Sequence, residues 1–183
     1  MHNKILSNIY HFIDNLNTEN IVDHNKNTRI IYRNYRSKLD IKKLLNFKNF
    51  CKKKKYKFFI SNEIALAFKL KLDGVYLPSF NKELYHKKFQ YSKNFIIIGS
   101  AHSLKEIRIK EKQNVQQIFL SPIFKTNKSI KKLGIFRFNN LSKLTTTPLI
   151  ALGGINENNI KQLNLVNGCG FAGISYFKKN KVN

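Results

Sequence analysis

Eight short apolar segments recur along the chain, and most neighbouring pairs are separated by a stretch whose apolar residues have helical spacing. The segments begin about 20 to 30 residues apart, which leaves room for one helix between neighbours. Strict alternation of strand and helix predicts a parallel sheet with right-handed crossovers, and eight such units close into a (β/α)8 barrel. The predicted strands are Asn8–Ile13, Thr28–Arg33, Tyr56–Ser61, Gly74–Pro78, Phe95–Ser100, Gln116–Ile123, Thr147–Gly153 and Gly170–Phe177.

The helices that this pattern predicts each follow a polar capping residue. They are Ile41–Lys53, Glu63–Leu72, Lys82–Lys93, Leu104–Lys112 and Glu157–Val166. The alternative fold is an open doubly wound sheet, and its main sequence evidence is missing because no G-x-G-x-x-G motif follows the first strand. Residues 15–27 have only a feeble helical pattern, and we expect the eighth helix to be missing. Either the N-terminal segment or a second subunit would then cover the exposed strand, which favours a homodimer.

The length of 183 residues predicts one domain that spans residues 1–183. No stretch has the pattern of a signal peptide, and no apolar run reaches the roughly 20 residues that a membrane span needs. Cys51 and Cys169 are isolated and lack metal-site spacing, so they indicate free thiols or small core residues. The sequence therefore predicts a cytoplasmic protein without a membrane partner.

The formal net charge of +24 points to polyanions such as nucleic acid. Codon bias is a competing explanation, since Lys and Asn number 29 and 24 and both have A/T-rich codons, whereas Arg occurs only five times. Asn is uncharged, so its excess argues for bias rather than for a dedicated nucleic-acid surface. We expect binding of nucleic acid to be weak, nonspecific and sensitive to salt.

The seventh predicted strand ends in two glycines, Gly153 and Gly154, which are followed by Asn156. Glycines let the backbone approach a ligand closely, and a helix that begins after Asn156 would direct N–H groups and its positive dipole end toward an anion. Ser175 lies near the end of the next strand. Because loops after strands 7 and 8 are the usual phosphate site of such a barrel, we predict a phosphate site at Gly153, Gly154 and Ser175. The alternative is a plain strand-to-helix turn.

Short motifs at the strand ends occur in the order of one known family. Three of them are Ser-Ala-His-Ser at 100–103, Ser-Pro-Ile-Phe-Lys-Thr at 121–126 and Ala-Leu-Gly-Gly-Ile at 151–155. Further matches lie at 10–14, 31–35, 59–62, 73–77 and 133–134. In this order, and over nearly the whole chain, the motifs resemble those of the thiamine phosphate synthase and TenI family of (β/α)8 barrels.

The resemblance to the synthase implies a magnesium ion held by two carboxylates at the ends of strands 3 and 4. Asn62 and Asn81 occupy those places here, and Glu63 is the nearest carboxylate in the sequence. Amide oxygens carry no charge, and magnesium usually needs at least one carboxylate besides the phosphates. The family's Lys after strand 2 is replaced by Tyr35, while its Arg is kept as Arg33. We therefore expect no cofactor, or Mg²⁺ if the chain is a synthase.

The TenI branch of the family implies a different chemistry. There, the histidine that matches His102 is associated with a metal-free tautomerase acting on a thiazole carboxylate phosphate. Imidazole suits this role because it takes and returns a proton near neutral pH. The resemblance also implies that Ser100 orients the carboxylate and that Thr126 and Arg33 help to bind the substrate. Ordinary alternatives stay open, namely a loop histidine before a helix cap, a solvated threonine, and an arginine that balances Asp14.

Three functions are compatible with these residues. We predict first a thiamin-pathway barrel that binds a thiazole-type monophosphate and acts as a TenI-like tautomerase, with His102 as the proton carrier. The first alternative is a thiamine phosphate synthase, which joins a pyrimidine pyrophosphate to a thiazole phosphate with magnesium. The second alternative is a catalytically silent barrel that binds polyanions through its basic surface.

Overall fold

A closed barrel of eight parallel strands forms the centre of the molecule. The computed structural model of the chain describes residues 8–21, 28–36, 38–84, 92–127 and 130–177. The strands pair in chain order, and the first pairs with the eighth to close the ring. They are β1 Ile9–Ile13, β2 Thr28–Tyr32, β3 Lys57–Ser61, β4 Gly74–Leu77, β5 Ile96–Ala101, β6 Gln117–Leu120, β7 Leu149–Leu152 and β8 Phe171–Gly173. The predicted (β/α)8 fold is confirmed.

The helices pack on the outside of the barrel. Within the described residues they are α1 Ile41–Lys53, α2 Ile64–Lys69, α3 Leu104–Lys112 and α4 Gly134–Ser142, with 3₁₀ segments at Glu19–Ile21, Ile160–Leu165 and Ser175–Phe177. The first three helices correspond to predicted ones, although α2 is shorter than its predicted span. The fourth was not predicted, yet Ile135, Phe138 and Leu141 have the spacing of a helix face.

The predicted helix Glu157–Val166 is wrong as an α-helix, because this stretch forms only the 3₁₀ segment Ile160–Leu165. Asparagine side chains bind the backbone where the helix should begin. Asn156 Oδ1 accepts from the N–H two residues on at 3.0 Å, and Asn159 Nδ2 donates to the Gly154 carbonyl at 2.7 Å. Such local bonds offer the backbone an alternative to the α-helical pattern.

Two other predicted spans differ from the structure. Residues 82–84 of the predicted helix Lys82–Lys93 are not helical, and residues 85–91 lie outside the described residues. The predicted strand Gly170–Phe177 ends at Gly173, and its last three residues form a 3₁₀ turn instead.

The outer face of β1 and β8 is covered in part by aromatic residues from that 3₁₀ turn. Phe177 stacks on His11 with ring centroids 4.3 Å apart, and Tyr176 packs edge-on against Phe171 at 5.0 Å. Residues of the chain itself therefore shield the strand for which the sequence suggested a second subunit. The homodimer stays a prediction.

The interior of the barrel is filled by side chains from alternate strand positions, as period-two alternation requires. Aromatic rings dominate this layer and meet edge to face, as Phe12 and Tyr76 do at 5.1 Å. At the amino-terminal end, Arg29 donates to the hydroxyl of Tyr10, which donates to Gln117 Oε1. The interior residues are Tyr10, Phe12, Ile31, Phe59, Tyr76, Ile98, Phe119, Ile150 and Ala172. Because the barrel is packed, a ligand has to bind at one of its ends.

Candidate functional site

Polar side chains and a glycine turn gather where the strands end. Arg33 follows β2, Asn62 follows β3, Ser100 lies near the end of β5, Ser121 follows β6 and Gly153 follows β7. Since all strands run parallel, these residues lie at one end of the barrel, which we call the barrel mouth. In (β/α)8 barrels this carboxyl-terminal end is where active sites are built.

His102 lies directly after β5, and its ring is anchored to the loop after β6. Its Nδ1 lies 2.9 Å from the main-chain oxygen of Ser121 and 3.2 Å from the hydroxyl of the same residue. The main-chain N–H of His102 donates to Glu106 Oε2 at 2.7 Å, and Ser103 Oγ caps α3 by accepting from Glu106 N. The predicted cap by Ser103 is present, and Glu106 binds the N–H one residue before that cap, which holds the backbone that carries the imidazole.

The bond to Ser121 determines which ring nitrogen carries the proton. A carbonyl oxygen only accepts, so the 2.9 Å contact requires a proton on Nδ1 of His102. In the neutral imidazole Nε2 then has a free lone pair. His102 as a whole is exposed at the barrel mouth.

The diglycine turn packs tightly against the loop after β6. Gly153 has a φ of +98° and Gly154 of +72°. A Cβ at Gly153 would lie 2.8 Å from Pro122 Cβ, and one at Gly154 only 2.3 Å from the carbonyl oxygen of Lys125. The Gly153 carbonyl accepts from Phe124 N at 3.1 Å. Close packing therefore explains why both positions are glycine, and the same loop connects this turn to His102.

The other two predicted phosphate contacts lie close to these elements in the chain. Ser175 is exposed and begins the 3₁₀ turn after β8, the strand that pairs with β7. Thr126 is half-buried and follows Lys125, whose carbonyl oxygen faces the diglycine turn. A role of either residue in phosphate binding stays a prediction.

Ser100 is buried at the top of the barrel interior and accepts a hydrogen bond from the Tyr76 hydroxyl at 2.8 Å. Burial raises the pKa of Tyr76 to about 12, so its phenol is neutral and acts as a donor. The Arg33 guanidinium lies over the Phe12 ring, 4.9 Å from its centroid. Among the described residues Arg33 and Asp14 form no direct ion pair. The result is a cation beside two hydroxyl groups at the centre of the barrel mouth.

The residues at the expected metal position do not fit a magnesium ion. Asn81 Nδ2 donates to Asn62 Oδ1 at 2.7 Å, and the Asn81 oxygen accepts from Glu83 N at 3.0 Å and from Gln113 Nε2 at 3.1 Å. Both amide oxygens are thus engaged by N–H donors, and neither carries charge. Glu63 is exposed on the adjoining segment and is the only carboxylate of the predicted set. The position is occupied by a neutral amide bridge.

A groove of about 530 Å³ lies beside Asn62 of this amide bridge. Asn62, Ser61 and Tyr35 contribute to its wall. The Tyr35 hydroxyl is within 2.6 Å of Ser61 Oγ, and its ring packs edge-on against the exposed Phe80 at 5.8 Å. The groove is large enough for a small heterocycle.

Several residues of this arrangement were not singled out from the sequence. Tyr76 was predicted only as a strand residue, although its strand β4 pairs with β5, the strand that His102 follows. Ser121 acts chiefly through its main-chain oxygen, which no sequence pattern identifies. Lys110 and Gln113 hold the loop after β4, but polar residues are common near the end of a helix, so the sequence does not distinguish these two.

Fold and site together define a (β/α)8 barrel whose polar groups, a histidine and a glycine turn meet at the carboxyl ends of the strands. A family model described as thiamine monophosphate synthase (TMP-TENI) matches residues 17–178. The chain belongs to this family.

Relatives support the same assignment. A putative thiamine-phosphate synthase 2 of Aquifex aeolicus is 36% identical over 130 residues, which cover 68% of each chain. A thiamine-phosphate synthase of Methanococcus maripaludis is 28% identical over 64% of this chain, but the match spans only 56% of that protein. The thiamine phosphate pyrophosphorylase of Pyrococcus furiosus has the same fold, with a TM-score of 0.74 and 20% identity over 94% of this chain and 87% of its own.

Across the part of the chain that the structure describes, no helix has both the length and the apolar character to cross a bilayer.

Proposed function

We propose that this barrel binds a thiazole-type monophosphate and catalyses a proton transfer without a metal, as a TenI-like tautomerase does. The observation that carries the proposal is the 2.9 Å bond between His102 Nδ1 and the Ser121 carbonyl oxygen. It leaves Nε2 as the basic nitrogen, on a residue that is exposed at the barrel mouth. The amide bridge of Asn62 and Asn81 supports the metal-free assignment, since it offers no charged ligand to magnesium.

The chemistry needs one group that both takes and returns a proton. His102 Nε2 removes the proton from a ring carbon of the non-aromatic heterocycle, and the electron pair moves into the conjugated system. The imidazolium that forms keeps its Nδ1–H bond to Ser121. It then returns the proton at the other end of the conjugated system, and the ring becomes aromatic. Such acid–base catalysis typically contributes 10²- to 10⁴-fold.

The remaining polar groups fit a substrate with two anionic groups. The amides of Gly153 and Gly154, together with Ser175 and Thr126, would hold the phosphate. Ser100 and Arg33 would hold the carboxylate, because a hydroxyl and a guanidinium both donate to it.

The test is to follow aromatisation of the thiazole carboxylate phosphate by its ultraviolet absorbance or by proton NMR. His102→Asn keeps a polar side chain but removes the base, so kcat should fall by about 10²- to 10⁴-fold. The matched control is Ser121→Ala, which should leave kcat within about threefold, because Nδ1 is held by a main-chain oxygen. Unchanged turnover in His102→Asn, with thermal unfolding like that of the native chain, would refute the proposal.

A thiamine phosphate synthase is the second candidate, and the names of the curated relatives favour it. That activity would require Asn62, Asn81 or Glu63 to hold magnesium. Magnesium-dependent release of pyrophosphate from a pyrimidine pyrophosphate and a thiazole phosphate would reverse the order of the two candidates.

A further inference from the structure

Lys110 is a buried cation that the proposed reaction does not use. It lies on α3, it is 0% exposed, and its Nζ donates to three oxygens. These are the carbonyl of Pro78 at 2.8 Å, the carbonyl of Asn81 at 2.7 Å and Gln113 Oε1 at 2.8 Å. The three N–H groups of an ammonium are thus matched by three acceptors.

The chain makes room for this lysine at Gly99 in β5. A Cβ at Gly99 would lie 2.6 Å from Lys110 Cδ and 3.1 Å from its Cγ. The φ of Gly99 is not in the left-handed region, so the backbone does not require glycine there. The packing of the lysine stem explains why this strand position has no side chain.

Gln113 extends the same contact to the side chain of Asn81. Its Nε2 donates to Asn81 Oδ1 at 3.1 Å and to the Glu83 carbonyl at 2.8 Å. The first bond determines the orientation of the Asn81 amide, because an oxygen that faces Nε2 leaves Nδ2 to face Asn62. Lys110 of α3 and Gln113, which caps the end of that helix, therefore hold both the backbone of the loop after β4, residues 78–84, and the side chain of Asn81.

The charge of Lys110 is balanced by carbonyl dipoles rather than by an ion pair. Among the described residues it forms no salt bridge. Burial lowers its pKa to about 8, and the more distant Glu106 partly opposes that shift. Burying a cation costs free energy, and the three acceptors around Lys110 Nζ offset that cost.

We propose that Lys110 and Gln113 are positioning residues, which hold the loop after β4 so that Asn81 donates to Asn62 and fixes that side chain at the barrel mouth, where the substrate is proposed to bind. Asn62 itself lines the groove. Lys110 donates hydrogen bonds from α3 to main-chain carbonyls of this loop. Its effect on substrate affinity rests on the proposed function, whereas its effect on the loop does not.

The experiment compares Lys110→Met and Gln113→Glu with the native chain. Met keeps most of the lysine stem but removes all three donors, and Glu keeps an acceptor for Lys110 but removes the donor to Asn81. The matched controls are Lys112→Met, on the same helix, and Gln162→Glu, both at exposed positions. Amide hydrogen exchange of residues 78–84 is measured without substrate, and KM and kcat are measured for the thiazole carboxylate phosphate.

Exchange of residues 78–84 should rise by at least tenfold in Lys110→Met. KM should rise on the order of tenfold in both variants while kcat changes less than about twofold, because His102 is held by the loop after β6. Exchange and KM like those of the two controls would overturn the proposal. If Lys110→Met does not fold, Gln113→Glu decides it. If the native chain shows no turnover, the proposed function fails, and hydrogen exchange alone decides the role of Lys110.

Discussion

Replacing Asn62 and Asn81 together by Asp is expected to turn the amide bridge into a site for a divalent cation. In the native chain Asn81 Nδ2 faces Asn62 Oδ1 at 2.7 Å. In Asn81→Asp a carboxylate oxygen replaces that nitrogen, while the other oxygen keeps its donors on Glu83 and Gln113. With Asp at both positions, two carboxylates face each other across a gap that a cation fills favourably.

The repulsion between the two carboxylates follows from their separation, and the stabilisation on binding follows from the concentration of the cation. Two unit charges about 4 Å apart repel by about 4 kcal/mol at an effective dielectric constant of about 20. A bound cation relieves this repulsion. At a Mg²⁺ concentration of about 100 times the dissociation constant, binding stabilises the folded chain by about 2.7 kcal/mol. For a chain of this size that raises the melting temperature by about 5 to 11 °C.

The assay is a titration with Mn²⁺, in which the electron paramagnetic resonance signal of the free ion falls as the ion binds. Thermal unfolding is then measured in Mg²⁺ and in Na⁺ at equal ionic strength. A control with the same charge change is Asn139→Asp with Asn167→Asp, since Asn167 N–H donates to Asn139 Oδ1 at 2.7 Å on the surface. Equal Mn²⁺ binding by the native chain and the Asn62/Asn81 double variant would refute the reasoning, and so would the absence of any gain over the control.

Three further predictions follow from packing and charge. Gly154→Ala should lower the free energy of unfolding by about 2–4 kcal/mol, because its Cβ meets the Lys125 carbonyl at 2.3 Å, whereas Gly134→Ala, with nothing within 4 Å, should cost about 1 kcal/mol in urea unfolding. The Cys51 thiol is buried, and burial raises its pKa to about 12, so iodoacetamide at pH 8 should label it only in denaturant, as mass spectrometry would report. Heparin binding should weaken more than about tenfold between 50 and 200 mM salt, whereas the affinity for thiazole monophosphate, measured by calorimetry, should change much less.

The strands were predictable because each is an apolar run bounded by polar or glycine residues, and their order then determined the barrel. The error at 157–166 shows the limit of this approach. The apolar spacing there is helical, but Asn156 and Asn159 bind the local backbone and favour a 3₁₀ segment. An asparagine can cap an α-helix or can hold the backbone in a different turn, and the sequence looks the same for both outcomes.

The positions of His102 and Ser100 at strand ends could be predicted from their motif, whereas the contacts that control them could not. The tautomer of His102 depends on a main-chain oxygen. The buried state of Lys110 depends on a missing side chain at Gly99 and on carbonyl groups of the loop after β4. In the sequence Lys110 resembles any lysine in the last turn of a helix, where cations are common at the surface.

The neutral amide bridge and the fixed imidazole favour the same kind of reaction. Loss of pyrophosphate places several negative charges on a leaving group, and the mouth meets that need only if a metal or several cations assist. Arg33 supplies one positive charge at the centre of the mouth, and Asn62 and Asn81 supply none. A proton transfer within one bound heterocycle leaves the net charge of the substrate unchanged, so a single base with a defined tautomer suffices. That difference in charge demand is the physical reason why we propose proton transfer ahead of group transfer for this chain.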